Sequence, residues 1–142
     1  MQARYQHLLV PVDFTEQNER ALAVAQQLAD PGVTRVTLLH VIETIEYVAD
    51  EEVEQFYKML TQRAKNRLEE LVLPFRAAKI EAQGKVVIGK RARGVVGFVM
   101  QNQVDLVVLS SHRVALTEPP KGLGTLSHQV SILSPCDVLL VK

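Results

Sequence analysis

Five short apolar runs, each interrupted by few polar residues, constrain the fold of this chain more than any other feature of its sequence. They occupy residues 8–12, 36–42, 85–88, 105–110 and 137–141. Because a strand that is buried on both faces needs apolar side chains at nearly every position, such runs are typical of a parallel sheet. The sequence therefore predicts five buried strands.

Helical patterns of apolar residues separate consecutive strands. We expect Thr15 to cap the first helix, and residues 30–32, Asp-Pro-Gly, to end it. Pro74 is expected to mark the end of the second and longest helix, because proline disrupts a helix interior. The patterns cover residues 21–29, 53–71, 95–100 and 126–133.

The order along the chain is strand then helix, repeated, followed by a final strand. Parallel strands need crossover connections, and each predicted connection here is helical. We therefore predict an α/β fold, a doubly wound five-stranded parallel sheet with helices on both faces. At roughly 150 residues per domain, the 142 residues fit a single domain, residues 1–142.

Charge and composition exclude several classes of protein. Sixteen basic residues balance sixteen acidic ones, so we expect no affinity for nucleic acid or for an anionic membrane surface. No apolar stretch approaches the roughly 18 residues of a membrane-spanning helix. The single cysteine, Cys136, cannot form an internal disulfide, and we expect a buried structural thiol there. This cysteine usage favours a reducing compartment, so a cytoplasmic protein is expected.

Ligands in open parallel sheets bind at the carboxyl ends of the strands. The loop after the first strand, residues 11–15, contains Asp13 but no glycine. The lack of a glycine-rich turn argues against a dinucleotide site, and the phosphate loop of P-loop proteins is absent as well. Asp13 either binds a ligand or caps local amide groups, and the residues alone leave both readings open.

The last loop ends in Gly124-Thr125-Leu126-Ser127, directly before the last helical pattern. Free amides and two hydroxyls at the start of a helix suit an anion such as a phosphate. The alternative is that Thr125 and Ser127 only cap the helix, which is the commoner role of these residue types there.

A cluster of cations precedes the third helical pattern. Lys90, Arg91 and Arg93 follow one another with no intervening acid. Cations at a helix start oppose the helix dipole, and a bound anion would relieve that conflict. A second anion site at these residues is one hypothesis, and a solvated loop is the other.

No catalytic residue and no metal site is predicted. His112, at the end of the fourth strand, could contact a phosphate or could be a loop residue with no ligand. Together with His128 it still lacks a third metal ligand at a suitable spacing. Ser110 and Ser111 lack the glycine-flanked turn that presents a hydrolase nucleophile. His40 lies in a buried strand and is expected to be packed and hydrogen-bonded.

Taken together, several segments of the chain resemble the universal stress protein family. They are residues 8–13, 38–42, 87–89, 105–112 and 135–141, in order and with suitable spacing along the chain. The resemblance implies a sheet ordered 3-2-1-4-5. It also implies a homodimer that pairs through the last strand, where Val138 and Leu140 are the expected contacts. One branch of the family binds ATP or AMP, and another branch does not.

The resemblance also implies which residues would bind a nucleotide. Those at the end of the first strand would contact adenine and ribose, and a residue of the second strand would contact adenine through its backbone. A glycine motif after the fourth strand would hold the phosphates. The positions implied are Pro11, Val12, Asp13, Val41, Leu109, Ser110, His112, Arg113, Gly124, Thr125, Leu126 and Ser127.

This chain departs from the glycine motif at two of its glycines and in the spacing to the third, because ten residues, 114–123, separate Arg113 from Gly124 where the family has nine. Ser110 and Arg113 stand where the family has its first two glycines, and neither residue allows close approach to phosphate as glycine does. Arg113 could clash with a nucleotide or pair with its phosphate. We predict a regulatory stress-response module that binds ATP or AMP, with or without Mg²⁺. A nucleotide-free interaction protein and a slow ATP hydrolase are the alternatives.

Overall fold

A computed structural model describes residues 5–44, 50–111 and 125–142. Its five strands lie in one sheet in the order β3-β2-β1-β4-β5, and every neighbouring pair is parallel. The predicted fold class and strand order are therefore confirmed. The strands are β1 (His7–Pro11), β2 (Arg35–Glu43), β3 (Glu81–Gly89), β4 (Leu106–Ser110) and β5 (Asp137–Val141).

Two helices cover each face of the sheet. The side chains of Leu8 and Val10 pack with α1 and α2 in one apolar cluster, while Leu9 and Leu39 pack with α3 and α4 in another. Successive residues of the central strands are thus buried on opposite faces, which explains why their sequences read as uninterrupted apolar runs. The helices are α1 (Asn18–Leu28), α2 (Glu51–Ala77), α3 (Arg91–Gln101) and α4 (Leu126–Leu133).

Two predicted helix ends are wrong. Helix α1 begins at Asn18 rather than after Thr15, whose hydroxyl instead donates a hydrogen bond to Asp13 Oδ1. Pro74 lies inside α2, which continues to Ala77. The extra turn places Phe75 in the core, where only 2% of it is exposed, and this burial opposes the local preference of proline to end a helix.

Two further elements begin earlier than their apolar patterns. Strand β3 starts at Glu81, before its apolar run and close to the start near Lys79 that the sequence also allows, because the whole segment pairs with β2. Helix α3 starts at Arg91, within the cation cluster that the sequence places at the helix start. Both extensions add polar residues that the apolar patterns leave out. Within the described ranges, no helix combines the length and the apolar character needed to cross a membrane.

Candidate functional site

A cleft of about 270 Å³ opens where the central strands β2, β1 and β4 end. In a parallel sheet all carboxyl ends meet at one edge, which is where ligands of this architecture bind. The first residues of α3 and α4 and the segment before α1 complete its walls.

Most of the residues predicted to bind a nucleotide line this cleft. The structure brings together Pro11, Val12, Asp13, Val41, Leu109, Ser110, Thr125, Leu126 and Ser127. Three others, His112, Arg113 and Gly124, lie outside the described residues. Five further lining residues of the cleft were not predicted to bind a ligand, namely Gln17, Asn18, Leu39, His40 and Val95.

Strand β2 extends beyond the end of its neighbour β1 at the cleft. Pairing between the two strands reaches Pro11 and Leu39, and the Val12 amide then donates to the Leu39 carbonyl at 2.9 Å. Beyond this point β2 continues to Glu43 alongside β3 only. Alternate residues of a strand direct their main-chain groups to the same side, so those of Val41 point past the end of β1 into the cleft.

The carboxylate of Asp13 is held by the turn that follows it. Its Oδ1 accepts hydrogen bonds from the Thr15 amide at 3.0 Å and from the Thr15 hydroxyl at 2.6 Å. Burial raises the pKa of Asp13, but these bonds and the positive charge of Arg91 outweigh it, so the pKa lies below its usual value. Asp13 therefore caps local groups, as one reading holds, while Oδ2 makes no hydrogen bond to any residue the structure describes.

A buried amide connects the ends of β1 and β4. Asn18, only 5% exposed, accepts a hydrogen bond from the Asp13 amide at 2.9 Å and donates one to the Ser110 hydroxyl at 3.2 Å. The Ser110 hydroxyl in turn donates to the Gln17 carbonyl at 3.2 Å. The serine that replaces the first motif glycine thus serves to bind the start of α1 to the end of β4.

Phe14, next to Asp13, has a strained backbone. Its φ of 65° lies in the left-handed region, which is uncommon for a bulky residue. The guanidinium of Arg67 lies 4.4 Å from the ring centroid of Phe14, and the His40 ring centroid lies at the same distance.

His40 also donates from Nδ1 to the Val12 carbonyl at 2.8 Å, so its predicted packing and hydrogen bonding are confirmed.

Helix α4 begins at the cleft as predicted. Thr125 is its N-cap, and the Thr125 hydroxyl accepts a hydrogen bond from the His128 amide at 3.3 Å. Thr125 is therefore a helix cap, as one reading holds. The amides of Leu126 and Ser127 belong to the first turn, whose amide groups have no partner within the helix. Among the described residues they donate to no other group, so they can bind an anion.

The three clustered cations have different surroundings. Arg91 lines the cleft, and its Nε lies 3.4 Å from Glu43 Oε2 at the end of β2. The ammonium group of Lys90 donates to the Thr44 carbonyl at 3.1 Å. Arg93 is exposed and is not among the cleft residues. A second anion site at Lys90, Arg91 and Arg93 stays a prediction. Arg91, however, also lines the cleft at the strand ends.

Reactive groups elsewhere are few in the described part of the chain. Burial raises the pKa of the half-buried Cys136 thiol, which disfavours the reactive thiolate. Across residues 5–44, 50–111 and 125–142, no three His, Cys, Asp or Glu side chains come together as a metal site needs.

Comparison with known proteins gives a match over nearly the whole chain. The model of the universal stress protein family matches residues 4–142. Universal stress protein MJ0577 of Methanocaldococcus jannaschii is 28% identical over 160 residues, covering 100% of this chain and 98% of that protein. Universal stress protein YxiE of Bacillus subtilis is 24% identical over 148 residues, covering 97% and 99%.

Solved structures show the same fold. The structure of MJ0577 superposes with a TM-score of 0.79 at 29% identity, covering 97% of this chain and 96% of that chain. A universal stress protein in complex with cAMP gives a TM-score of 0.71 at 20% identity, covering 97% of each chain. An Arabidopsis thaliana member of the family with AMP bound gives 0.68 at 17% identity, covering 96% and 91%. At these last two identities, the likeness shows the fold alone.

Proposed function

Because this chain belongs to the universal stress protein family, we propose that it binds an adenine nucleotide, ATP or AMP, in the cleft at the ends of β1, β2 and β4. One observation carries the proposal: residues from separate parts of the chain, each assigned to the nucleotide by family resemblance, line a single cleft. Its volume of about 270 Å³ is near the lower end of small-molecule sites, roughly 300 Å³, which suits a mononucleotide. Structures of relatives with cAMP and AMP support it.

Each end of the cleft offers the chemistry that one part of a nucleotide needs. Adenine presents both donors and acceptors at its edge, which the outward main-chain groups of Val41 can pair with. A ribose hydroxyl can donate to Asp13 Oδ2. Phosphates can accept hydrogen bonds from the first amides of α4 and from the hydroxyls of Thr125 and Ser127. We propose a regulatory module that carries the nucleotide in a stress response.

Substituting Asp13 with asparagine tests the proposal. D13N can still accept from Thr15 through its side-chain oxygen, but it loses the charge that would bind a ribose hydroxyl. We expect titration calorimetry to show saturable binding of ATP or AMP to the unaltered protein, with and without Mg²⁺. We expect D13N to bind ATP or AMP with a dissociation constant about tenfold higher, because the substitution weakens a hydrogen bond to a charged group.

Asp30→Asn is the matched control, because it removes the same charge from an exposed residue outside the cleft. Its affinity should equal that of the unaltered protein. An absence of heat together with no thermal stabilisation at millimolar ATP would refute nucleotide binding. The nucleotide-free interaction protein would then be the better reading.

We also propose a homodimer that pairs through β5, an edge strand of the sheet. The Val141 carbonyl accepts from the Ser111 amide toward β4, so the main-chain groups of the alternate residues, Val138 and Leu140, point outward. Such an edge can pair with a second copy. Sedimentation equilibrium should give twice the chain mass of 15.9 kDa, and a mass of one chain at all concentrations would refute the dimer.

A further inference from the structure

Two residues set the charge of the cleft. Apart from His40, Asp13 and Arg91 are the only titratable side chains among the described residues that line it. A carboxylate repels a phosphate, so a cleft that takes a phosphorylated ligand needs a cation to offset Asp13. Among the described residues, Arg91 is the one lysine or arginine that lines the cleft.

The guanidinium of Arg91 is only partly engaged. Its Nε faces Glu43 Oε2 at 3.4 Å, and the two side chains are 53% and 47% exposed. The two terminal nitrogens of Arg91 make no hydrogen bond to any residue in the described ranges. Exposed ion pairs of this kind are weak, whereas a guanidinium and a phosphate can form two parallel hydrogen bonds. A phosphate in the cleft can therefore compete with Glu43 for Arg91.

We infer that Arg91 makes the cleft select phosphorylated over unphosphorylated adenine ligands, and that Glu43 holds its guanidinium at the cleft wall until such a ligand binds. This inference rests on the proposed function and deepens it. Arg91 is then a specificity residue, contributed by the start of α3 rather than by the segments after β1 and β4. The ligand class is an adenine nucleotide with at least one phosphate, and adenosine is its natural comparison.

Calorimetric titration of AMP and of adenosine into R91Q separates the phosphate from the rest of the ligand. We expect the dissociation constant of AMP to rise about tenfold, because R91Q loses a hydrogen bond between two charged groups, the guanidinium and the phosphate. The dissociation constant of adenosine should change by less than about twofold, because adenosine carries no charge for Arg91 to meet.

Arg93→Gln is the matched control. It removes the same charge from the same turn of α3, but its side chain is exposed and does not line the cleft. R93Q should bind AMP and adenosine as the unaltered protein does. R91K should show an intermediate AMP affinity, because lysine keeps the charge but not the paired donors.

Glu43→Gln tests the second half of the inference. Without its competitor, Arg91 should bind AMP more tightly, while adenosine affinity stays unchanged. Added NaCl should weaken AMP binding to the unaltered protein, and the slope should be smaller in R91Q. Circular dichroism melts of every variant identify any that fails to fold.

Three results would overturn the inference alone: equal losses for AMP and adenosine in R91Q, the same loss in R93Q, or unchanged AMP affinity in R91Q. The first would mean that Arg91 contacts the base or ribose, and the second that net charge alone matters. If neither AMP nor adenosine binds the unaltered protein, the proposed function itself is overturned, and the inference with it.

Discussion

Replacing Gly84 with alanine should lower the free energy of unfolding by about 1–3 kcal/mol, the usual cost of forcing an extra carbon into a packed core. Gly84 lies in β3 beneath α2. A Cβ added there would lie 2.6 Å from the Cβ of Leu68 and 3.2 Å from its Cδ1. Leu68 is only 1% exposed, and its Cβ cannot move without moving the helix backbone. Alanine at position 84 therefore pushes α2 away from the sheet.

Gly97→Ala is the matched control for this substitution. A Cβ added to Gly97 of α3 would meet nothing within 4 Å. Since alanine favours a helix over glycine, G97A should raise the free energy of unfolding by up to about 1 kcal/mol. Urea unfolding followed by circular dichroism measures both. If G84A proves as stable as the unaltered protein, the close contact between α2 and β3 does not limit how the helix packs.

The fold was predictable because burial on both faces leaves a strong signal in the sequence. Residues such as Leu8, Leu9 and Val10 alternate between the two apolar clusters, so none of them can be polar without cost. The strand order came from the family resemblance, since apolar runs do not say which strands are neighbours. Pro74 shows the limit of local rules, because the burial of Phe75 in the last turn keeps α2 helical beyond it.

The site was predictable where strand ends define it and not where side chains reach it from elsewhere. Asp13 followed from the rule that parallel strands present their carboxyl ends to ligands, whereas Val41 came only from the family resemblance. Asn18 has no such signal, because a polar residue at a helix start usually faces solvent. The sequence grouped Arg91 with Lys90 and Arg93, whereas the fold directs it toward Glu43 and the cleft. The direction in which a side chain points depends on its position around the helix axis, and the order of charges along the sequence does not give that position.

Asn18→Ala should reduce both stability and nucleotide affinity, because Asn18 is the one side chain that contacts both the Asp13 amide and the Ser110 hydroxyl in the described structure. Asn18 itself is buried, and its removal takes this partner from the part-buried Asp13 amide, whereas the Ser110 hydroxyl still donates to the Gln17 carbonyl. A buried polar group left unsatisfied costs about 1–3 kcal/mol, and we expect the free energy of unfolding to fall by that amount. As a positioning residue, Asn18 fixes the backbone of Asp13, so the affinity for ATP should fall several-fold as well.

Ser110→Ala separates these two effects. It removes the hydroxyl that receives the Asn18 donor but leaves the bond between the Asn18 oxygen and the Asp13 amide in place. S110A should therefore lose some stability and keep most of its ATP affinity, as judged by urea unfolding and calorimetry of the same samples. Loss of stability without loss of affinity in N18A would show that Asp13 keeps its place unaided. Equal affinity losses in N18A and S110A would show that the bond to the end of β4, and not the bond to Asp13, shapes the cleft.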